Sequence, residues 1–312
     1  MAASFNEIDI LLNQRSDYQA RLRALVFDGT PEIKENKSGK YLYIRKRVAG
    51  KLTSTYIDVY SDDLYTLLVK NTKETKEINK RIREINKKLS QLGYEDSELP
   101  GRIRDNIDFA RINMKSSIYE QSVLEGIGTS FPQTEEIIDN GIINGVSSEN
   151  VQKILNLKHA WEFILDENVV QSKTNYQLLC HIAKLINEGL IHDGGRIRGV
   201  PVTIGGCKYM PPIPMEIDVI ERIDSILSKK EKLIDKAIKL CLYCMRTQIF
   251  KDGNKRAAVI FANHYLIANG MGFIVIPEEE VSAFKKMLVR FYETNKQTEI
   301  MGFLKAKCWR KF

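Results

Sequence analysis

The spacing of apolar residues changes twice in the first third of the chain. Ile8, Ile10, Leu11 and Leu12, then Leu22, Leu25 and Val26, recur at three-to-four spacing and predict an amphipathic helix within Met1–Phe27. From Lys40 to Val48 apolar and basic positions alternate, and the alternation resumes from Leu52 to Tyr60. With Ala49-Gly50-Lys51 as the turn, the two runs predict a β-hairpin. Ser61 then caps a helix carrying Leu64, Leu67 and Leu68. It continues through Ile78, Ile82, Ile85, Leu89 and Leu92 in a 3.5-like repeat dense in Lys, Glu and Arg, ending at Gly93. That pattern fits an exposed helical arm or a short coiled coil.

The acidic stretch Glu95–Pro100 reads as a linker, dividing the chain into an N-terminal region (1–95) and a larger domain (96–312). Helical periodicity then dominates, over Ile103–Ile118, Thr134–Asp139, Ser148–Ile164, Tyr176–Glu188, Met215–Ser228, Lys232–Thr247, Asn254–Asn269 and Glu278–Thr294. Gly194–Pro212 interrupts it with strand-length pieces between glycines and a closing Pro211-Pro212 pair. This predicts a β-hairpin flap inserted between helices. The fold class expected is mainly α, with a basic β-hairpin and long helical arm in front of a helical bundle.

Composition narrows the class. With 43% hydrophobic and 28% charged residues in 312, the chain is too apolar for a disordered one. No run approaches the ~18 apolar residues of a membrane helix, and Met1–Gln14 lacks a basic stretch leading into an apolar core. A cytoplasmic protein without membrane contact is the simplest expectation. The five cysteines do not make a disulfide scaffold. Cys241 and Cys244, one helical turn apart in an apolar run without a second Cys/His pair, read as core residues. Charge is uneven. Between Glu32 and Lys88 there are 15 basic and 8 acidic residues, an excess of +7 that equals the net charge of the whole chain.

Chemistry concentrates in Gln248-Ile-Phe-Lys-Asp-Gly-Asn-Lys-Arg256. An apolar helix ends near Thr247, a turn centres on Asp252-Gly253, and Asn254 opens the next helix. A glycine there exposes backbone N–H donors at the positive end of the helix dipole. Lys255 and Arg256 oppose that dipole, a placement that suits a bound polyanion, and Asp252 would hold a divalent cation beside phosphates. A helix connection with an Asx cap and solvated charges is the other reading of the residues alone.

This stretch resembles the core motif of the Fic (Fido) family, His-x-Phe-x-Asp/Glu-Gly-Asn-x-Arg-x-x-Arg, with Phe250, Asp252, Gly253, Asn254 and Arg256 at matching positions. Ile204-Gly-Gly-Cys-Lys-Tyr-Met-Pro-Pro212 resembles the hairpin with which Fic proteins clamp a target. Ser122-Val-Leu-Glu-Gly-Ile127, in a segment around 115–130 and followed by Thr134–Ile138, resembles the inhibitory-helix region of the family's autoinhibited class. The resemblance spans roughly Ile103 to Ile300. It implies a Fic-like helical bundle that binds ATP or another nucleotide with Mg2+, the metal on Asp252 and the phosphates on Gly253, Asn254, Lys255 and Arg256. It implies transfer of AMP to a target hydroxyl, Glu125 in a regulatory position, and a target held along Ile204, Gly205, Gly206 and Tyr209. The Doc-type branch, which carries Asn-Lys-Arg as at Asn254–Arg256, implies phosphoryl transfer instead.

Three positions depart from the pattern. Gln248 stands where the family's catalytic histidine is expected, and an amide orients a hydroxyl but does not accept its proton. Loss of a general base costs on the order of 100- to 10,000-fold. Val259 replaces the closing arginine, removing its γ-phosphate contact and its salt bridge to the inhibitory glutamate. Gln121 occupies the Ser/Thr position ahead of Glu125. Among the histidines (His159, His181, His192, His264) none is an obvious substitute base. A non-catalytic nucleotide- or partner-binding module is therefore the alternative to an enzyme.

The basic hairpin interleaves Tyr41, Tyr43, Tyr56 and Tyr60 with Arg45, Lys46, Arg47 and Lys51. That mixture suits nucleic acid through phosphate neutralisation and base stacking. A protein partner, self-association into a homo-oligomer, or a merely solvated face fits the same residues.

Overall fold

The computed structural model describes residues 2–27, 29–48, 51–94, 99–141, 143 and 145–312. Contacts divide the chain into two compact units, Met1–Asp96 and Ser97–Phe312. The turn residues Ala49 and Gly50 and most of the proposed linker, Glu95 to Glu98, lie outside the described residues.

In the first unit, α1 (Ala2–Ala24) precedes three antiparallel strands, β1 (Thr30–Asn36), β2 (Gly39–Val48) and β3 (Lys51–Val59), in spatial order β1-β2-β3. The expected hairpin is thus the β2–β3 pair, and β1 is an additional strand. Its sequence, Thr-Pro-Glu-Ile-Lys-Glu-Asn, offers one large apolar residue and no alternating signature. The register pairs Tyr43 with Glu32 on one side and with Tyr56 on the other. Leu42 and Ile44 point inward onto Leu68, with Phe27, Ile57, Tyr60, Leu64 and Tyr65 around them.

Helix α2 (Asp62–Gln91) begins under the Ser61 side chain, which accepts from the Leu64 N–H, with Asp62 and Asp63 favourably placed in its first turn. Its far half is not an exposed arm. Ile85 and Leu89 pack on Leu11 of α1, flanked by Ile8, Leu12, Tyr18, Leu92 and Tyr94, and Arg21 pairs with Glu74 at 2.7 Å. The repeat read as a coiled-coil seam closes within the same chain against α1.

The second unit is helical: α3 (Gly101–Ile112), α4 (Met114–Glu125), α5 (Phe131–Asn140), α6 (Ser148–Ile164), α7 (Glu167–Gln171), α8 (Tyr176–Ile186), α9 (Glu216–Ser228), α10 (Leu233–Thr247), α11 (Asn254–Ala268), α12 (Val281–Thr294) and α13 (Thr298–Phe303). A two-stranded ribbon, β4 (Phe273–Ile274) with β5 (Trp309–Arg310), ties down the C-terminus. Helix α11 is the centre of this unit. From Ala257 to Ala262 every side chain is buried, and α8, α10 and α6 surround it. A helix apolar all round belongs inside a bundle.

Two expectations change here. The helix expected over Ile103–Ile118 breaks at Asn113, whose carbonyl accepts from the Ser116 and Ser117 hydroxyls at 2.9 and 2.8 Å while its own amide bonds the Phe109 carbonyl. Serine and asparagine offer the backbone these alternatives to a continuous helix. The flap, 194–212, is extended and closed by a turn in which Cys207 N–H donates to the Ile204 carbonyl, with Gly206 at φ 74°. It forms no strand ladder. Pro201, Pro211 and Pro212 carry no N–H, and the carbonyls of Val200, Pro211 and Pro212 are taken by Arg198.

Cys241 and Cys244 are buried in α10, and burial pushes the Cys241 thiol up to about 12 and the Cys244 thiol well above its ordinary value. Both are held protonated, as core residues are. No described helix is long and apolar enough to cross a membrane.

Candidate nucleotide site

The loop between α10 and α11 is built by its own side chains. Helix α10 stops because Gln248 adopts a left-handed conformation, φ 50° and ψ 60°, uncommon for a residue with a Cβ. The Asn254 side chain then staples the turn, its carbonyl accepting from the Phe250 N–H at 2.9 Å and its amide donating to the Phe250 carbonyl at 2.8 Å. The same amide reaches the Gln248 Oε1 at 3.2 Å, and the Gln248 Nε2 donates to the Met245 carbonyl at 2.6 Å. Both ends of the glutamine amide are therefore engaged within the loop. Phe250 is buried beneath it.

Gly253 caps α11 with φ 74°. A Cβ there would stand 2.8 Å from Ile186 Cγ2 and 3.0 Å from Asn187 Oδ1, so the position admits only glycine. Asn187 in turn donates to the Asp252 carbonyl at 3.1 Å. With the loop fixed, the first-turn amides of α11 have no partner within their own helix, as at any helix N-terminus.

The charged groups around that end divide into three. Asp252 is half exposed and accepts from Arg256 at 3.2 Å. Arg256 is almost completely buried, with a further bond from Nη1 to the Ile186 carbonyl at 3.4 Å. Glu125, at the last turn of α4, sits between Lys255 at 3.4 Å and the Arg256 Nε at 3.7 Å. Gln121, one turn earlier on α4, donates to the Arg256 carbonyl at 3.0 Å. The absence of an arginine at 259, where Val259 is buried, therefore does not leave Glu125 without a cation. Lys255 and Arg256, in the first turn of α11, serve instead.

A residue passed over in the sequence reading holds the flap to this site. Arg198 is buried, its backbone N–H donates to the Ile249 carbonyl at 3.0 Å, and its guanidinium reaches the carbonyls of Gln248 (2.5 Å), Val200 (2.8 Å) and Pro212 (2.6 Å). Burial lowers its pKa from the ordinary arginine value. At the flap tip, Ile204, Gly205 and Gly206 form the turn, while Tyr209 lies under Arg246 with 4.0 Å between cation and ring centroid. Lys208 N–H bonds Glu293 at 3.1 Å.

The histidines stand apart from this chemistry. His264 bonds the Val169 carbonyl at 2.7 Å and Thr174 at 2.9 Å, His159 faces Glu188 at 3.4 Å, His181 stacks on Phe163, and His192 is exposed beside Asp193.

The donor set fits a nucleotide with its metal. Among the described residues no three His, Cys, Asp or Glu side chains gather as a metal site. One carboxylate, Asp252, is what a magnesium ion shared with phosphate oxygens requires. The buried Arg256 Nε and Glu125 Oε1 lack hydrogen-bond partners, each meeting opposite charge only at longer range.

Residues 173–266 match the model of the Fic/DOC family, and residues 5–66 match that of a domain of unknown function, DUF6788. A Fic-1 fragment from C. elegans shares the fold at 15% identity, covering 77% of this chain and 76% of that one, with a TM-score of 0.51. A Fic domain containing signaling protein from Bacteroides thetaiotaomicron is similar at 17% identity, 67% and 85% coverage and TM-score 0.52. A Fic family protein from Desulfovibrio desulfuricans G20 is similar at 16% identity, 68% and 73% coverage and TM-score 0.51. No curated protein sequence matches the chain. Residues 173–266 of the second unit thus match the Fic/DOC family model, and the chain shares the helical fold of these Fic-domain structures.

Proposed function

We propose that this Fic-type domain binds a nucleoside triphosphate with Mg2+ at the α11 N-terminus and that group transfer from it is slow because Gln248 supplies no base. The observation that carries this reading is the glutamine's own bonding. Its Nε2 and Oε1 are occupied by Met245 and Asn254, so the side chain braces the loop. Asp252, Gly253, Asn254, Lys255 and Arg256, the residues that would face phosphate, are all present.

When bound, the nucleotide and its metal supply the transferable group. Asp252 would hold the metal, the first amides of α11 with Lys255 and Arg256 would neutralise phosphate charge, and Asn254 keeps those amides in place. A target segment would lie along the flap beside Ile204, Gly205, Gly206 and Tyr209, where Met210 and Ile213 expose apolar surface. Gln248 is left to orient a hydroxyl only by giving up one of its loop bonds.

The test compares the protein with Gln248→His and Arg256→Ala, each incubated with Mg2+ and α- or γ-labelled ATP in cell lysate. The expected result is nucleotide binding by the unaltered chain and labelling that rises on the order of 100-fold or more in Gln248→His. The α label in product would show AMP transfer, and the γ label phosphoryl transfer. Unaltered protein that labels as fast as Gln248→His would refute the reading, and so would failure to bind ATP.

A further inference from the structure

The first unit presents one covered and one open sheet face. Leu42, Ile44 and Ile57 turn toward α2, whereas Tyr41, Tyr43, Arg45 and Arg47 of β2 alternate onto the opposite side. The register brings Tyr56 of β3 opposite Tyr43, Ser54 opposite Arg45 and Leu52 opposite Arg47, and it brings Lys34 of β1 opposite Tyr41. Three tyrosines thus form one cluster on the open face. The Tyr43 and Tyr56 ring centroids are 5.5 Å apart in an edge-to-face pair, and those of Tyr41 and Tyr56 are 6.3 Å apart. Lys34 stands over the Tyr43 ring at 4.2 Å, and Arg45 and Arg47 are exposed. Two acids lie beside these neighbours: Glu32, which accepts from Ser54 at 2.8 Å and faces Lys34 at 3.8 Å, and Asp58, whose charge acts on Tyr56.

We infer that the tyrosine and arginine face of β1-β2-β3 is a binding platform for single-stranded nucleic acid. Half of the Tyr56 side chain and well over half of Leu52 and Val59 are exposed, so aromatic and apolar area is in contact with water. A unit that leaves tyrosine rings partly exposed next to two arginines has the two components of single-strand recognition, π-faces for bases and cations for phosphates. Charge selects the ligand. The strand region 32–61 carries seven basic and three acidic residues, and an acidic backbone complements it. Geometry selects the single strand. A three-stranded sheet covered on one side by a helix offers a broad face, whereas the major groove admits an α-helix or a two-stranded ribbon. An open sheet with aromatics on adjacent strands stacks unpaired bases.

The experiment is fluorescence-anisotropy titration of the full chain with labelled 16-nucleotide oligo-dT, oligo-U and a duplex of the same length, at several salt concentrations. Single strands are expected to bind more tightly than duplex. The log–log salt slope expected from three phosphate contacts is about −2. Tyr43→Ala and Tyr56→Ala should each weaken single-strand binding by roughly 5- to 100-fold, whereas Tyr43→Phe and Tyr56→Phe, which keep the ring, retain it. Arg45→Gln and Arg47→Gln should each reduce the slope by about 0.7. No binding at 50 mM salt, preferential binding of duplex, or single-strand binding indifferent to loss of either ring would overturn the inference. A protein partner retained through the same face without oligonucleotide binding would overturn it too. Nucleotide transfer by the second unit enters none of these readouts.

Discussion

His264 shows what a bundle core does to a titratable side chain. It is wholly buried on α11, and desolvation pushes its pKa down to about 4 against the bond it makes to the Val169 carbonyl. The native protein therefore holds it neutral, with one ring nitrogen donating to that carbonyl and the other accepting from Thr174. The native value lies below the unfolded one of 6.5, so the unfolded chain takes up the proton first as pH falls. Stability is full above about pH 6.5 and declines toward pH 4, by about 3 kcal/mol from this residue. Urea unfolding at pH 7.5, 5.5 and 4.5 should show the decline, and His264→Gln should flatten it. An unchanged pH dependence in that variant would reject the assignment. Residue chemistry was legible in sequence where a side chain acts on neighbours along the chain, as Asn254 does on Phe250. It was illegible where the partner is remote. Arg198 bonds carbonyls fifty residues away, and Gln121 bonds Arg256 from another helix, so neither spacing nor composition announces them.

Element by element, the helices with caps and one continuous apolar stripe were readable. Serine at 61, 147 and 130 and asparagine at 175 cap the starts of α2, α6, α5 and α8 by accepting from the first-turn backbone. Elements without a pattern of their own were not. Strand β1 depends on β2 for its ladder, and the flap's expected strands yield to prolines and to one buried guanidinium. Helix α4 matters most to the site, because its last turn delivers Glu125 to Lys255 and Arg256 while Gln121 fixes its distance. A carboxylate held there competes with any phosphate for the same two cations. Glu125→Gln keeps the shape and removes the charge, so ATP–Mg2+ affinity should rise about tenfold, equivalent to roughly 1.4 kcal/mol. Isothermal titration calorimetry measures it. Affinity unchanged or lowered would mean that Glu125 does not compete for those cations.

At the scale of the whole chain, contacts divide the residues into two compact units, each with its own buried clusters. In Met1–Asp96, the described buried clusters are small: Leu11, Ile85 and Leu89 between the two helices, and Leu42, Ile44 and Leu68 beneath the sheet. The second unit buries whole helices, α11 above all, together with Trp161 and half of Trp309. Hydrophobic stabilisation scales with apolar area removed from water, so the first unit should unfold at lower denaturant. The chain's tryptophans make this directly measurable, since both belong to the second unit whereas Tyr41, Tyr43, Tyr56, Tyr60 and Tyr65 crowd the first. In a urea titration, loss of part of the helical circular dichroism should precede the tryptophan transition. Leu68→Ala, which opens a cavity under the sheet, should move only the earlier transition, destabilising it by about 2–5 kcal/mol. A single transition coincident in both probes would mean that the two cores unfold as one cooperative body. The oligonucleotide platform could not then be lost by denaturant while the nucleotide site persists.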